Sequence, residues 1–128
     1  MSERVTHYTE SVLTRMLQVG HATNGELLEY LRVDHPELSA TTVHRITARL
    51  VERGKLAVAP VAAGNVMRFD AATAQHDHFH CRGCDLLRDT MIAESIRPIL
   101  EDSIGDGCRV SGNLVISGLC KNCNKGVE

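Results

Sequence analysis

The sequence predicts an α+β fold: an N-terminal winged helix-turn-helix followed by a small α/β domain closed around a four-cysteine metal site. Three observations predict it. Apolar residues recur at helical spacing in three segments before Gly54, two β-like runs follow, and two Cys-x-x-Cys pairs flank the rest of the chain.

In the first segment, Tyr8, Val12, Leu13, Met16 and Leu17 build one apolar stripe that ends at a turn around Gly20. Thr23-Asn24-Gly25-Glu26 has the form of a capping box, in which the Thr hydroxyl and the Glu carboxylate satisfy orphan amides at a helix start. Leu27, Leu28 and Leu31 are the face that this second helix buries. After His35-Pro36, Ser39 caps a third helix whose apolar positions are Val43, Ile46, Leu50 and Val51, and Gly54 stops it. Lys55 to Ala59 and Val66 to Asp70 then read as a hairpin around Ala62-Ala63-Gly64-Asn65. Residues 1–70 are therefore expected to form the winged-helix domain, and the uncharged, aperiodic residues 71–75 a hinge.

Residues 76–128 are expected to form the second domain. Phe79 and Leu86-Leu87 suggest strands, and Met91 to Ile104 supplies a helix with Ile92, Ile96, Leu100 and Ile104 on one face. Pro98 fits if the regular helix begins near Ser95, because first-turn residues need no amide donor. Arg109-Val110-Ser111 and Leu114 to Ser117 read as a hairpin across the Gly112-Asn113 turn.

Composition narrows the function classes. Of 128 residues, 43% are hydrophobic, yet no apolar run is long enough for a membrane span, and the polar stretch Met1 to Glu10 does not read as a signal peptide. The chain is expected to be cytoplasmic, with no membrane partner. Two Tyr, two Phe and no Trp are too few rings for a base-stacking platform. The net charge is −2. Basic and acidic residues number 8 and 8 through Asp70, and 6 and 8 beyond it, so a nucleic-acid surface has to be a local patch.

Cys81-Arg82-Gly83-Cys84 and Cys120-Lys121-Asn122-Cys123 let two tight turns each present two thiolates to one ion, which is the ligand set of structural zinc. Four reduced core cysteines are the bland reading, but it does not account for the double spacing. A domain this small gains stability from such an ion. Cys108 stands outside the scheme and is expected to be a small buried residue at a strand start. Just before the first pair, His76-Asp77-His78-Phe79-His80 places three imidazoles at alternate positions, hence on one face of a strand, where two of them can share a metal. A solvated His-rich edge is the alternative there. The role of His80 stays open because it adjoins Cys81.

These motifs together resemble the ferric uptake regulator (Fur) family. Thr41-Thr42-Val43-His44-Arg45 is similar to that family's Ala-Thr-Val-Tyr-Arg recognition segment. His76-Asp77-His78-Phe79-His80-Cys81-x-x-Cys84 is similar to its His-His-Asp-His-x-x-Cys-x-x-Cys signature, and Gly118-Leu119-Cys120-Lys121-Asn122-Cys123 matches as well. The resemblance implies a regulatory metal site at His21, Asp70, His76, His78 and Asp89. Such a nitrogen and oxygen set suits Fe2+ or Mn2+, with Zn2+ or nickel as alternatives. No Cys precedes Cys81, which argues against the family's zinc-uptake branch, and Ala74 breaks the His triplet of its nickel branch. Aspartate at both acidic positions resembles the peroxide-sensing branch. Gln75 and Gly112 stand where the family's additional metal site commonly has His, so that site is expected to be absent. Thr9 stands where the first helix usually carries a DNA-touching Arg, and His44 replaces the Tyr of the recognition segment.

The resemblance further implies a homodimer on a palindromic double-stranded DNA operator, acting as a metal-dependent repressor. On the third helix His44, Arg45, Ala48, Arg49 and Glu52 point away from the apolar stripe. Arg45 and Arg49 are expected to reach phosphates or guanine edges, and Thr41 and Thr42 a phosphate at the helix start. Lys55 and Arg68 are expected to add backbone contacts from the wing. The second domain is expected to be the dimerisation domain, pairing through its edge strands and the Ile92, Ile96 and Leu100 face. The competing readings are a zinc- or nickel-responsive regulator of the same family, a zinc-binding module with no DNA role, and a hydrolase. The last lacks a nucleophile or a general base beside an open metal position.

Overall fold

The computed structural model describes residues 3–74 and 76–125; Gln75 lies outside the described residues. The chain forms two compact units, Met1–Thr73 and Ala74–Glu128.

The first unit runs α1 (Glu3–Val19), β1 (His21–Thr23), α2 (Asn24–Leu31), α3 (Ala40–Glu52), β2 (Ala57–Ala62) and β3 (Val66–Asp70). Its core is aliphatic: Val12 and Met16 from α1, Leu27 and Leu31 from α2, and Val43, Ile46 and Leu50 from α3 close on Leu38, Leu56 and Phe69. Leu17 is 69% exposed, because the next residue after Met16 turns about 100° off the buried stripe. Both expected caps form. Thr23 Oγ1 accepts from Glu26 N–H while Glu26 Oε1 accepts from Thr23 N–H, and Ser39 Oγ accepts from Thr42 N–H. Thr47, buried on α3, donates its hydroxyl to Asn24 Oδ1 at 2.8 Å and so pegs α3 to the start of α2.

The wing has three strands in the order β1-β3-β2, all antiparallel. A run of three residues, His21-Ala22-Thr23, is too short to show a strand period, which is why the sequence pattern missed β1. It matters because its pairing sets His21 opposite Asp70. Gly20, at φ +81°, makes the turn into β1, and its carbonyl accepts from Ala71 N–H at 2.9 Å.

The second unit runs β4 (Asp77–Cys81), β5 (Leu87–Thr90), α4 (Ala93–Ile104) and β6 (Val115–Gly118). The sheet order is β5-β4-β6, with β5 antiparallel and β6 parallel to β4. Three expectations are corrected here. Cys108 is exposed and lies in the stretch between α4 and β6, not buried at a strand start. No hairpin joins Arg109-Val110-Ser111 to Leu114–Ser117 among the described residues. Val110 N–H donates instead to Glu101 Oε2 of α4 at 2.7 Å, while β6 finds its partner in β4, with His78 opposite Val115. The helix also starts at Ala93, not near Ser95, so Pro98 sits past the first turn. Proline there removes a donor to the carbonyl of Glu94, an exposed residue whose carbonyl water can serve. On the α4 face, Ile92 and Ile96 are half-buried, whereas Leu100 and Ile104 are exposed.

Leu27 is 1% exposed at the centre of the first core, so Leu27→Ala is expected to cost about 2–5 kcal/mol. Urea unfolding followed by far-UV circular dichroism checks this; an unchanged midpoint would contradict the packing described.

Candidate metal centres and recognition helix

Cys81 ends β4 and begins a turn in which Asp85 N–H donates to the Cys81 carbonyl at 3.0 Å. The second turn follows β6, with Asn124 N–H donating to the Cys120 carbonyl at 2.8 Å. Because β4 and β6 are parallel and Cys81 lies opposite Gly118, both turns leave the sheet at the same end. The sulfurs of Cys81, Cys84, Cys120 and Cys123 all lie within 4.8 Å of one another. Cys84 Sγ and Cys120 Sγ are 3.7 Å apart, close to the edge of about 3.8 Å of a tetrahedron whose metal–sulfur bonds are about 2.3 Å.

The thiols are electrostatically unequal. Cys81 is lowered to about 6 by backbone N–H groups aimed at its sulfur, Cys120 first, then Cys84 and Gly83, against the opposing effect of burial. Cys123 is pushed up to about 12, first by the Cys120 thiol and then by those of Cys81 and Cys84. Four thiolates this close repel one another, so full ionisation needs a cation among them. The donors, their spacing and their electrostatics fit structural zinc. Gly83 is part of the fit. A Cβ there would lie 2.8 Å from Cys123 Sγ, so only glycine lets the first turn close against the second pair.

At the other end of β4, strand alternation puts His76 and His78 on the face that meets Asp89 of β5, and His78 is in register with Asp89. Nε2 of His76 and Nε2 of His78 lie 3.1 Å and 3.3 Å from the same oxygen, Asp89 Oδ1, with the rings 4.4 Å apart. His76 Nδ1 is 2.7 Å from the Ala74 carbonyl, which can only accept, so Nδ1 carries the hydrogen and a neutral ring presents its Nε2 lone pair to the carboxylate. Lone pair facing lone pair is repulsive unless a proton or a metal ion lies between. This is a preformed set of three ligand atoms. His80 does not join it: its Nε2 pairs with Asp85 Oδ1 at 2.6 Å in the cysteine turn.

In the first unit, His21 Nε2 lies 3.3 Å from Asp70 Oδ2 across the β1–β3 pair. Asp70 is 2% exposed, and its other oxygen, Oδ1, accepts from Ala72 N–H at 2.8 Å. One nitrogen and one carboxylate oxygen are thus held together by strand register. The equivalent pairing in the second unit is His78 with Asp89.

Residues 2–106 match the Ferric uptake regulator family. The chain belongs to the Fur family. Its members are transcription regulators and not enzymes, which sets aside the hydrolase reading. No curated protein matches the chain. Among solved structures, the fold is similar to that of the Helicobacter pylori ferric uptake regulator, described as having three functional metal binding sites. The TM-score is 0.74 at 18% identity, over 95% of this chain and 83% of that one. The Campylobacter jejuni peroxide stress regulator follows at TM-score 0.66 and 21% identity, over 92% and 90%. A zinc uptake regulator complexed with zinc and DNA gives 0.60 and 23%, over 91% and 80%. At such identities the likeness is one of fold.

In this Fur-family chain Thr41, His44, Arg45 and Arg49 are exposed along α3, and Thr42 is half-buried with its hydroxyl 2.9 Å from Ser39 Oγ. Lys55 is exposed where α3 gives way to the wing. Arg68 corrects the sequence expectation. It is 5% exposed on the central strand, opposite Thr23 and Ala59, and cannot offer its guanidinium to a phosphate from there. The wing offers Val58, Val61, Val66 and Met67 to solvent instead, each about half exposed. Sequence reasoning also missed Gly83 and the Ala74 carbonyl, since neither a small residue between ligands nor a backbone acceptor leaves a compositional signal.

Gly83→Ala is expected to weaken zinc binding about tenfold or more, in the range of changes made just outside the ligands of a metal. Zinc released to a chromogenic chelator measures it, and wild-type retention would contradict the close approach.

Proposed function

We propose that this Fur-family chain is a metal-dependent transcriptional repressor of the cytoplasm that senses Fe2+ or Mn2+ and binds palindromic double-stranded DNA as a homodimer. The observation that carries the reading is the convergence of His76 Nε2 and His78 Nε2 on one oxygen of Asp89, with His76 fixed as a ligand-ready tautomer. His21 and Asp70 supply a second nitrogen and oxygen pair. Together these five residues would hold one regulatory ion, and their hard oxygen and imidazole donors suit Fe2+ or Mn2+. Zn2+ is the alternative, and the absence of Cys from the set speaks against it.

The division of labour follows from the two units. The winged-helix unit carries Arg45 and Arg49 on α3 as the groove-reading surface, with Thr41, Thr42, His44 and Lys55 around them. The second unit, with its four-cysteine zinc site, pairs with a second copy. Leu100, Ile104, Val115 and Ile116 give it an exposed apolar face suited to that role. Two recognition helices fit a palindrome only when spaced near one DNA turn, about 34 Å. Ligands drawn from both units let ion occupancy bias that spacing. An ion that prefers the DNA-competent form about 100-fold contributes roughly 2.7 kcal/mol toward it.

Aspartate at both acidic positions favours the peroxide-sensing form of this reading. In the ferrous protein, peroxide is expected to add one oxygen to His21 or His76, read by peptide mass spectrometry; unmodified peptides would exclude peroxide sensing.

The regulatory reading is tested by His76→Ala and Asp89→Ala. Both variants are expected to keep zinc at the four cysteines and to remain dimeric, yet to lose metal-dependent DNA binding in a gel shift with and without Mn2+. Retained metal-dependent binding would overturn the assignment.

A further inference from the structure

Asp77, between His76 and His78, points to the opposite side of β4 and is 2% exposed. A carboxylate this deeply buried needs partners, and it has two: Oδ1 accepts from Leu114 N–H at 2.8 Å and from Arg97 Nη2 at 3.4 Å. Arg97 does more than neutralise it. Nη2 also donates to the Gly112 carbonyl at 2.6 Å, and Nη1 to the Val110 carbonyl at 3.3 Å. One planar guanidinium from α4 thus fills a socket made of a carboxylate oxygen and two backbone carbonyls. Three segments meet there: β4, α4 and the stretch leading into β6. The planar fork suits this task, and an ammonium does not reproduce it.

We infer that Arg97 is a tethered internal cation whose clasp on Asp77 positions His76 and His78 for the regulatory ion. Asp77 is covalently next to both histidines, so its anchorage fixes the strand that aims their Nε2 atoms at Asp89. The Leu114 contact reinforces this, since Leu114 O in turn accepts from His78 N–H at 2.9 Å. Arg97 and Asp77 are positioning residues; neither is a ligand. The inference rests on the regulatory-site reading above.

The test uses the zinc-loaded full chain and Mn2+ alone, with bound ion read by electron paramagnetic resonance. Arg97→Ala and Asp77→Asn are expected to weaken Mn2+ binding about 10- to 100-fold, as loss of partners that orient metal ligands does, while zinc content and dimer mass stay unchanged. The double variant is expected to lose no more than the worse single one, because both changes break one clasp. Millimolar guanidinium is expected to restore part of the affinity of Arg97→Ala but none of that of Asp77→Asn, a rescue that general stabilisation would not give. Should Arg97→Ala lose its zinc, Arg97→Lys and Asp77→Asn decide in its place. Wild-type protein binding no Mn2+ overturns the regulatory-site reading itself. Wild-type binding with variants of equal affinity, additive losses, or loss of zinc from all variants overturns the clasp's positioning role.

Discussion

The second unit depends on charge being gathered at fixed points, because a single copy buries little of its hydrocarbon. Cys81 and Leu87 are its only buried apolar residues among the described ones, whereas the first unit closes a dozen around α1, α2 and α3. A unit so poor in apolar burial stands to gain stability from a cation held by its four thiolates and from ion pairs such as Asp77 with Arg97.

β4 is where these demands meet. Its five residues end in a sulfur ligand at Cys81, begin beside His76, and carry Asp77 and His78 on opposite faces. Period-two alternation separates the two kinds of work, with imidazoles toward Asp89 on one side and the buried carboxylate toward Arg97 on the other. A slip of one residue in the β4–β5 register would move His78 away from Asp89 and set Asp77 or Phe79 opposite it. The metal-ligating pattern and the strand register therefore specify each other, and the cysteine turn anchors the register from the far end, where Cys81 N–H donates to the Leu86 carbonyl at 2.8 Å.

Much of this was legible in the sequence where one local rule governs. The capping box at Thr23, the Ser39 cap, the apolar period of α3 and the double cysteine spacing all follow from chemistry within a few residues, and each is found as expected. What was not legible depends on partners distant in the chain. β1 exists only because β3 lends it a ladder, and the expected hairpin at Gly112 gives way because Arg97 and Glu101 of α4 take up the backbone of the segment before the turn. Arg68 shows the same limit. An arginine at alternate positions in a strand reads as a solvent-facing charge until a third strand buries it. Sequence pattern alone also treated Asp77 as the residue between two ligands, although its burial makes it the anchor of both.

The absence of a charged wing changes what specificity can mean for this chain. With Arg68 withdrawn into the sheet, Arg45, Arg49, Arg53 and Lys55 are exposed along α3 and just past its end, and the wing strands add no exposed cation. Sequence-independent attraction to phosphates scales with the number of neutralised charges, so the hold of one copy on DNA would weaken as salt rises. Two copies correctly spaced would share one operator, with the second contact made at high effective concentration once the first is formed. A weak single contact makes occupancy sensitive to geometry. The fewer cations each recognition surface offers, the more a change of a few kcal/mol in the spacing of two such surfaces decides between bound and free, which is the condition a metal-operated switch requires. Charge confined to α3 and its end on the reading surface and charge gathered at the metal ligands are complementary parts of the proposed regulation.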